Sequence, residues 1–115
     1  MTLFFILLLK HAIVDLGVQS HFPGLRKQAY ISNAHIHYLH HGISTLIIAA
    51  FFVDPLLAVA CAIIDYLAHW HIDWGKHRIN TAFSIKSRSR LWWWTNSVDQ
   101  LLHFVTYYII VLIGV

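Results

Sequence analysis

The sequence predicts an all-α protein, a four-transmembrane-helix bundle with a His/Asp cluster in the cytoplasmic half. Three observations lead there. Four windows are predominantly apolar over about 20 residues, the length an α-helix needs to cross a bilayer. Each window carries two histidines or aspartates four residues apart: His11/Asp15, His37/His41, His69/Asp73 and Asp99/His103. Seven of the eight Lys/Arg residues fall in two of the three links between windows.

Composition narrows the class. Of 115 residues, 58% are hydrophobic and 11% charged, where a soluble domain has about 25% charged. The acidic residues are five aspartates and no glutamate, against ten histidines. A net charge of +3 is too small to argue for nucleic acid. A single cysteine, Cys61, excludes an intrachain disulfide and a cysteine-based zinc site, and in an apolar stretch it reads as inert packing. The chain is expected to form one domain over 1–115, its core completed by lipid.

The first helix is expected over about 2–19. Its start, Met-Thr-Leu-Phe-Phe, lacks a basic region and a small-residue cleavage site, so it reads as a retained span rather than a signal peptide. The link 20–33 holds Pro23, Gly24, Arg26, Lys27 and Asn33. A second helix over about 34–53 and a third over 56–74 are separated by Asp54-Pro55, where proline stops one helix and a tight hairpin follows. The longest link, about 75–95, contains Gly75, Lys76, Arg78, Lys86, Arg88 and Arg90. A fourth helix is expected over 96–115.

Topology follows from charge. The positive-inside rule places both basic links in the cytoplasm and both termini outside. Tyr30, Trp70, Trp74 and Trp92 to Trp94 then fall near the same interface, where amphipathic rings settle. All four polar pairs reach that half of the bundle, although the charge rule made no use of them.

Side chains at i and i+4 on a helix share a face, with Cβ atoms about 5–6 Å apart, and can grip one ion together. Intramembrane carboxylates cost roughly 2.5–3.5 kcal/mol each at a helix centre, and a divalent cation offsets several. Imidazole with carboxylate suits zinc, manganese or iron. Eight candidate ligands, His11, Asp15, His37, His41, His69, Asp73, Asp99 and His103, exceed the four of a structural zinc site, so one ion with supporting groups or two ions is expected. Gln19, Thr45 and Asp65 extend the same stripes at four-residue spacing. Asp65 and Lys10 lie at similar depth and are expected to pair. Gln19, Asp65, Lys76 and Gln100 are candidates to orient ligands or hold substrate. His35, His40 and His71 read as hydrogen-bonded packing residues, His21 and His77 as solvated.

These motifs resemble a family of small bacterial and phage membrane proteins, catalogued as domain of unknown function three-three-zero-seven. The likeness rests on His11, Asp15 and Gln19; on His37 or His41; on His69, Asp73 and Lys76; and on Asp99, Gln100 and His103. A more distant likeness is to inner-membrane metal-dependent hydrolases. The resemblance implies an inner-membrane protein and supplies no proven activity.

Three functions compete. The first is a metal-dependent hydrolase acting on a lipid-like amphiphile at the cytoplasmic interface; no nucleophile elbow, P-loop or zincin H-E-x-x-H is present, so the metal must carry the chemistry. Lys76 and Arg78 would attract its anionic headgroup. The second is a membrane di-iron oxidase or hydroxylase, suggested by the H-x-x-H-H spacing of His37, His40 and His41. The third is a non-enzymatic phage or bacterial accessory protein that senses metal or pH or moves ions.

Overall fold

A computed structural model describes residues 2–18, 26, 27 and 29–114. The described residues form four helices and no strand. Helix α1 spans Thr2–Ala12 and continues as a π-helical turn over Ile13–Val18; α2 spans His35–Ala49, α3 Pro55–Ala82 and α4 Arg90–Gly114. Helix α3 packs along both α2 and α4, and α1 closes the bundle against the same two helices.

The boundaries correct the sequence reading in two places. Helix α3 runs two turns beyond residue 74, and α4 begins at Arg90 rather than 96, so the long link shrinks to 83–89. Gly75 does not stop the helix. The stop is a Schellman turn, in which Ser84 N–H donates to Thr81 C=O (3.2 Å) and Ile85 N–H to Asn80 C=O (2.9 Å). Ser84 takes the left-handed backbone position with φ 50°. His77, expected in a solvated link, is therefore half-buried within α3.

Span length is the second correction. Among the described residues two helices, α3 and α4, are long and apolar enough to cross a membrane. Helix α2 has 15 residues, about 22 Å at 1.5 Å per residue, against a hydrocarbon core of about 30 Å. Helix α1 has 11 residues before its backbone widens into the π turn.

The hairpin between α2 and α3 follows its sequence signal. Asp54 caps α3 by accepting from the backbone N–H groups of Leu56 (3.1 Å) and Leu57 (3.0 Å), and Pro55 occupies the first turn, where a missing N–H costs nothing.

The interior divides by chemistry. At one end Leu3, Leu7, Ala49, Ala58, Cys61, Tyr107, Ile110 and Val111 form an apolar core. At the other end Lys10, His11, His37, His41, Asp65, His69, Asp73, Asp99 and His103 are buried, with Val14, Ala34 and Tyr38 the apolar residues outside that core. Outside, Phe5, Ile13, Ile43, Ile47, Phe51, Leu56, Ile63, Leu101 and Leu112 are exposed. Charge within and hydrocarbon without reverses the arrangement of a water-soluble domain.

Candidate metal centre

Each helix brings one polar stripe to the same depth. His11 ends α1, and Asp15 lies in the π turn, where it faces α2. His37 and His41 open α2, Asp65, His69 and Asp73 descend α3, and Asp99 and His103 line α4. The eight sequence-predicted ligand residues all enter four overlapping groups: His11/His41/His69, Asp15/His37/His41, His37/His69/Asp73 and Asp73/Asp99/His103. Within each group the donor atoms lie within 4.8 Å of one another. These buried groups can hold a metal ion.

The rings form a continuous array. His41 stacks on His69 with centroids 3.6 Å apart, and His69 on His103 at 3.9 Å. His11 stands 5.0–5.3 Å from His41, His69 and His103.

Lys10 anchors the floor. Its ammonium donates to Asp65 Oδ2 (2.8 Å), Tyr107 Oη (3.0 Å) and His41 Nδ1 (3.0 Å), using all three of its hydrogens. Thr45 Oγ1 donates to the same Asp65 oxygen. The Lys10–Asp65 pairing expected from matching depth is thus present, with both side chains almost wholly buried.

The tautomers follow from these partners. Lysine accepts nothing, so His41 Nδ1 is the acceptor, and its Nε2–H donates to Asp15 Oδ1 (2.8 Å). His11 Nε2–H donates to Gln100 Oε1 (3.0 Å), leaving Nδ1 to accept from the Tyr107 hydroxyl (2.9 Å). Tyr107 Oη in turn accepts from His69 Nε2–H (3.0 Å). His103 Nε2–H donates to Asp73 Oδ1 (3.0 Å).

His37 differs from the other rings. Neither of its buried nitrogens makes a hydrogen bond, although Nε2 lies 3.2 Å from Asp15 Oδ1 and 3.6 Å from Asp73 Oδ2. Two ligands held about 2.1 Å from one ion at ordinary angles lie roughly 3.0–3.4 Å apart. The spacing at His37 suits a shared cation as well as a His–Asp ion pair, and a buried ring without hydrogen bonds leaves room for a partner there. Asp99 Oδ1 and the Nδ1 atoms of His69 and His103 are also buried without hydrogen bonds.

Lysines already balance much of the acid. Lys10 pairs with Asp65, Lys27 Nζ lies 3.2 Å from Asp73 Oδ2, and Lys76 Nζ lies 3.5 Å from Asp99 Oδ2. Asp15 instead faces three histidines, His11 (3.0 Å), His37 and His41. Among the described residues, Asp15, its side chain 23% exposed, is thus the clustered carboxylate paired with histidines and not with a lysine, and His37 is the ring with neither nitrogen hydrogen-bonded.

Among the supporting candidates, Gln100 accepts from His11 and donates to Asp99 Oδ2 (3.3 Å). Lys76 also donates to Asn96 Oδ1 (3.3 Å). Gln19 lies outside the described residues, as does His21. His35 and His71 have ordinary partners: Tyr66 donates to His35 Nδ1 (2.5 Å), and His71 Nδ1–H donates to Leu67 C=O (2.7 Å). Of the His37/His40/His41 box, only His37 and His41 enter a candidate ligand group among the described residues.

Two members escaped the sequence reading. Tyr107 follows His103 by four residues and so continues the α4 stripe, but a tyrosine in an apolar helix reads as core. Lys27, read as a topological charge, reaches in to Asp73. Comparison of the chain with protein-family models, with curated proteins and with solved structures finds no match.

Proposed function

We propose that this chain is a multi-pass bacterial inner-membrane protein that binds one or two divalent cations, zinc, manganese or iron, and hydrolyses a lipid-like substrate. The observation that carries the reading is His37, a buried imidazole without hydrogen bonds set between the carboxylates of Asp15 and Asp73. Four His/Asp-bearing helices meeting around it fit the helix-bundle plan for carboxylate–histidine metal sites. The reading keeps all four helices in the membrane and both termini outside the cytoplasm. The exposed apolar shell supports this, and polar partners at one end of the bundle relieve the shorter α1 and α2 of a full crossing. Kinship with the small bacterial and phage family named above belongs to the same proposal.

A bound ion would supply a water of lowered pKa and polarise the scissile carbonyl or phosphoryl group. The chain's own residues would then divide the remaining work. Asp15, His37 and Asp73 hold the cation. Lys10 and Tyr107 fix His41, His11 and His69 from beneath, which limits rotation of the rings. Asp99, with Oδ1 unpartnered, is placed to accept a proton from the attacking water. Protein reconstituted with zinc, manganese or iron in phosphatidylglycerol vesicles should release lipid products detectable by mass spectrometry, and Asp99→Asn should slow release at least tenfold. No release with any of the three metals would remove the hydrolase.

A non-enzymatic reading has one specific observation in its favour. Three lysines pair with three of the four clustered aspartates, leaving a residual charge near −1 with neutral histidines. Such a network is nearly balanced without an ion, as a sensor or ion-moving protein requires. Metal-dependent current or flux without product release would favour it. The di-iron oxidase has less support, because His40 stands outside the ligand groups.

A further inference from the structure

The groove between α3 and α4 lies beside the cation cluster and shares one residue, Asp99, with it. It encloses about 490 Å³, within the roughly 300–1,000 Å³ of small-ligand sites. Its walls are apolar, built from Ile72, Gly75 and Ile79 on α3 and from Trp94, Val98 and Leu102 on α4. Two charged residues line it, Lys76 and Asp99. Asp99 belongs both to the groove and to the Asp73/Asp99/His103 group, is 3% exposed, and keeps Oδ1 without a partner.

At the Trp94 end a second recess of about 390 Å³ is bordered by Arg90, Trp93, Trp94 and Ser97. Trp94 is common to both recesses. The apolar groove thus lies between the two helices able to cross a bilayer, with the Lys76–Asp99 ion pair in its wall, and the second recess, on α4 alone, sets a guanidinium group beside the shared Trp94.

We propose that the α3–α4 groove binds one acyl chain of an anionic membrane phospholipid, with its headgroup at Arg90 and its upper chain passing Asp99. The charges select this occupant. Arg90 recognises a phosphate, and an apolar trough facing hydrocarbon gains most from a chain that would otherwise leave its walls unfilled. Calling this lipid the substrate rests on the hydrolase reading; its binding does not.

The test uses the full chain in phosphatidylcholine nanodiscs that contain palmitoyl-oleoyl-phosphatidylglycerol as a minor component. After extraction in mild detergent, retained phosphatidylglycerol per protein is counted by mass spectrometry, and metal content is measured on the same samples. Wild type should retain one phosphatidylglycerol in preference to phosphatidylcholine. Gly75→Leu builds a side chain where no atom lies within 4 Å of an added Cβ, and it should lower retention about tenfold, equal to ~1.4 kcal/mol of binding. Val98→Phe fills the groove from the opposite wall and should do the same, deciding the matter if Gly75→Leu fails to fold. Arg90→Gln should lower the preference for phosphatidylglycerol, whereas Ala82→Leu, equal bulk at an exposed helix end, should leave retention unchanged. Undiminished retention in the folded groove variants, or phosphatidylcholine held as well as phosphatidylglycerol, overturns the proposal. Loss of lipid with metal kept refutes nothing about the cation site, and loss of metal with lipid kept refutes only the hydrolase.

Discussion

Lys10 directs its three hydrogens to three different helices, reaching His41 on α2, Asp65 on α3 and Tyr107 on α4. Removing one partner of a buried pair strands the other charge, at about 3–5 kcal/mol. Lys10→Leu and Asp65→Leu should each destabilise the bundle by about that much, while the double variant loses clearly less than the sum. Denaturant titration of the detergent-solubilised protein reads the cycle, and simple additivity would show that the pair does not interact. Tyr107→Phe removes one hydroxyl that serves Lys10, His11 and His69, and should cost about 1–3 kcal/mol and weaken metal binding, because it frees the His11 and His69 rings that it orients. Sequence revealed much at this scale. The four-residue spacing located all eight clustered His/Asp side chains, since i and i+4 share a helix face whatever the tertiary fold. It could not show that Lys27 crosses from a link to Asp73, because a flexible four-carbon stem leaves no periodic trace.

Two glycines separate packing from propensity at the scale of the helices. At Gly42 an added Cβ would lie 3.3 Å from Tyr66 Cβ and 3.4 Å from Ala62 C=O, so α2 and α3 approach through this residue. At Gly75 nothing lies within 4 Å. Gly42→Ala should therefore lower the unfolding midpoint, and Gly75→Ala should raise it, since alanine in a helix is favoured by about 0.5–1 kcal/mol over glycine. A rise for both would mean that the α2–α3 contact is looser than described. The Schellman turn supplies another check. Ser84 occupies a left-handed position that glycine adopts without strain, so Ser84→Gly should stabilise by up to about 1 kcal/mol in the same titration. This turn explains why the third helix end was misjudged. Gly75 and a run of basic residues resemble a link, whereas the stop depends on a serine backbone angle that composition does not encode. The Asp54-Pro55 boundary was legible because cap and proline act locally.

Taken whole, the molecule is an all-helical bundle with a polar interior at one end and hydrocarbon on its outer surface. The all-α class was readable from apolar windows alone. The helix ends were not, because window hydropathy ignores where a helix stops: α2 stops at Ala49 and α1 widens into a π turn at Ile13. The depth at which the polar pairs meet was inferred from loop charge, and the bundle brings the same side chains to one level. The charge balance appears only in three dimensions. Lysines answer Asp65, Asp73 and Asp99, and among the described residues the ion-pair partners of Asp15 are histidines.

The central claim is that a divalent cation sits among these side chains, held most strongly at Asp15 and His37. Elemental analysis of detergent-purified protein, prepared without chelator, tests it directly. Wild type should carry at least one equivalent of zinc, manganese or iron, and His37→Ala and Asp15→Asn should each lose most of it while remaining folded by circular dichroism. Metal-free wild type, or full metal content in both variants, would contradict the account.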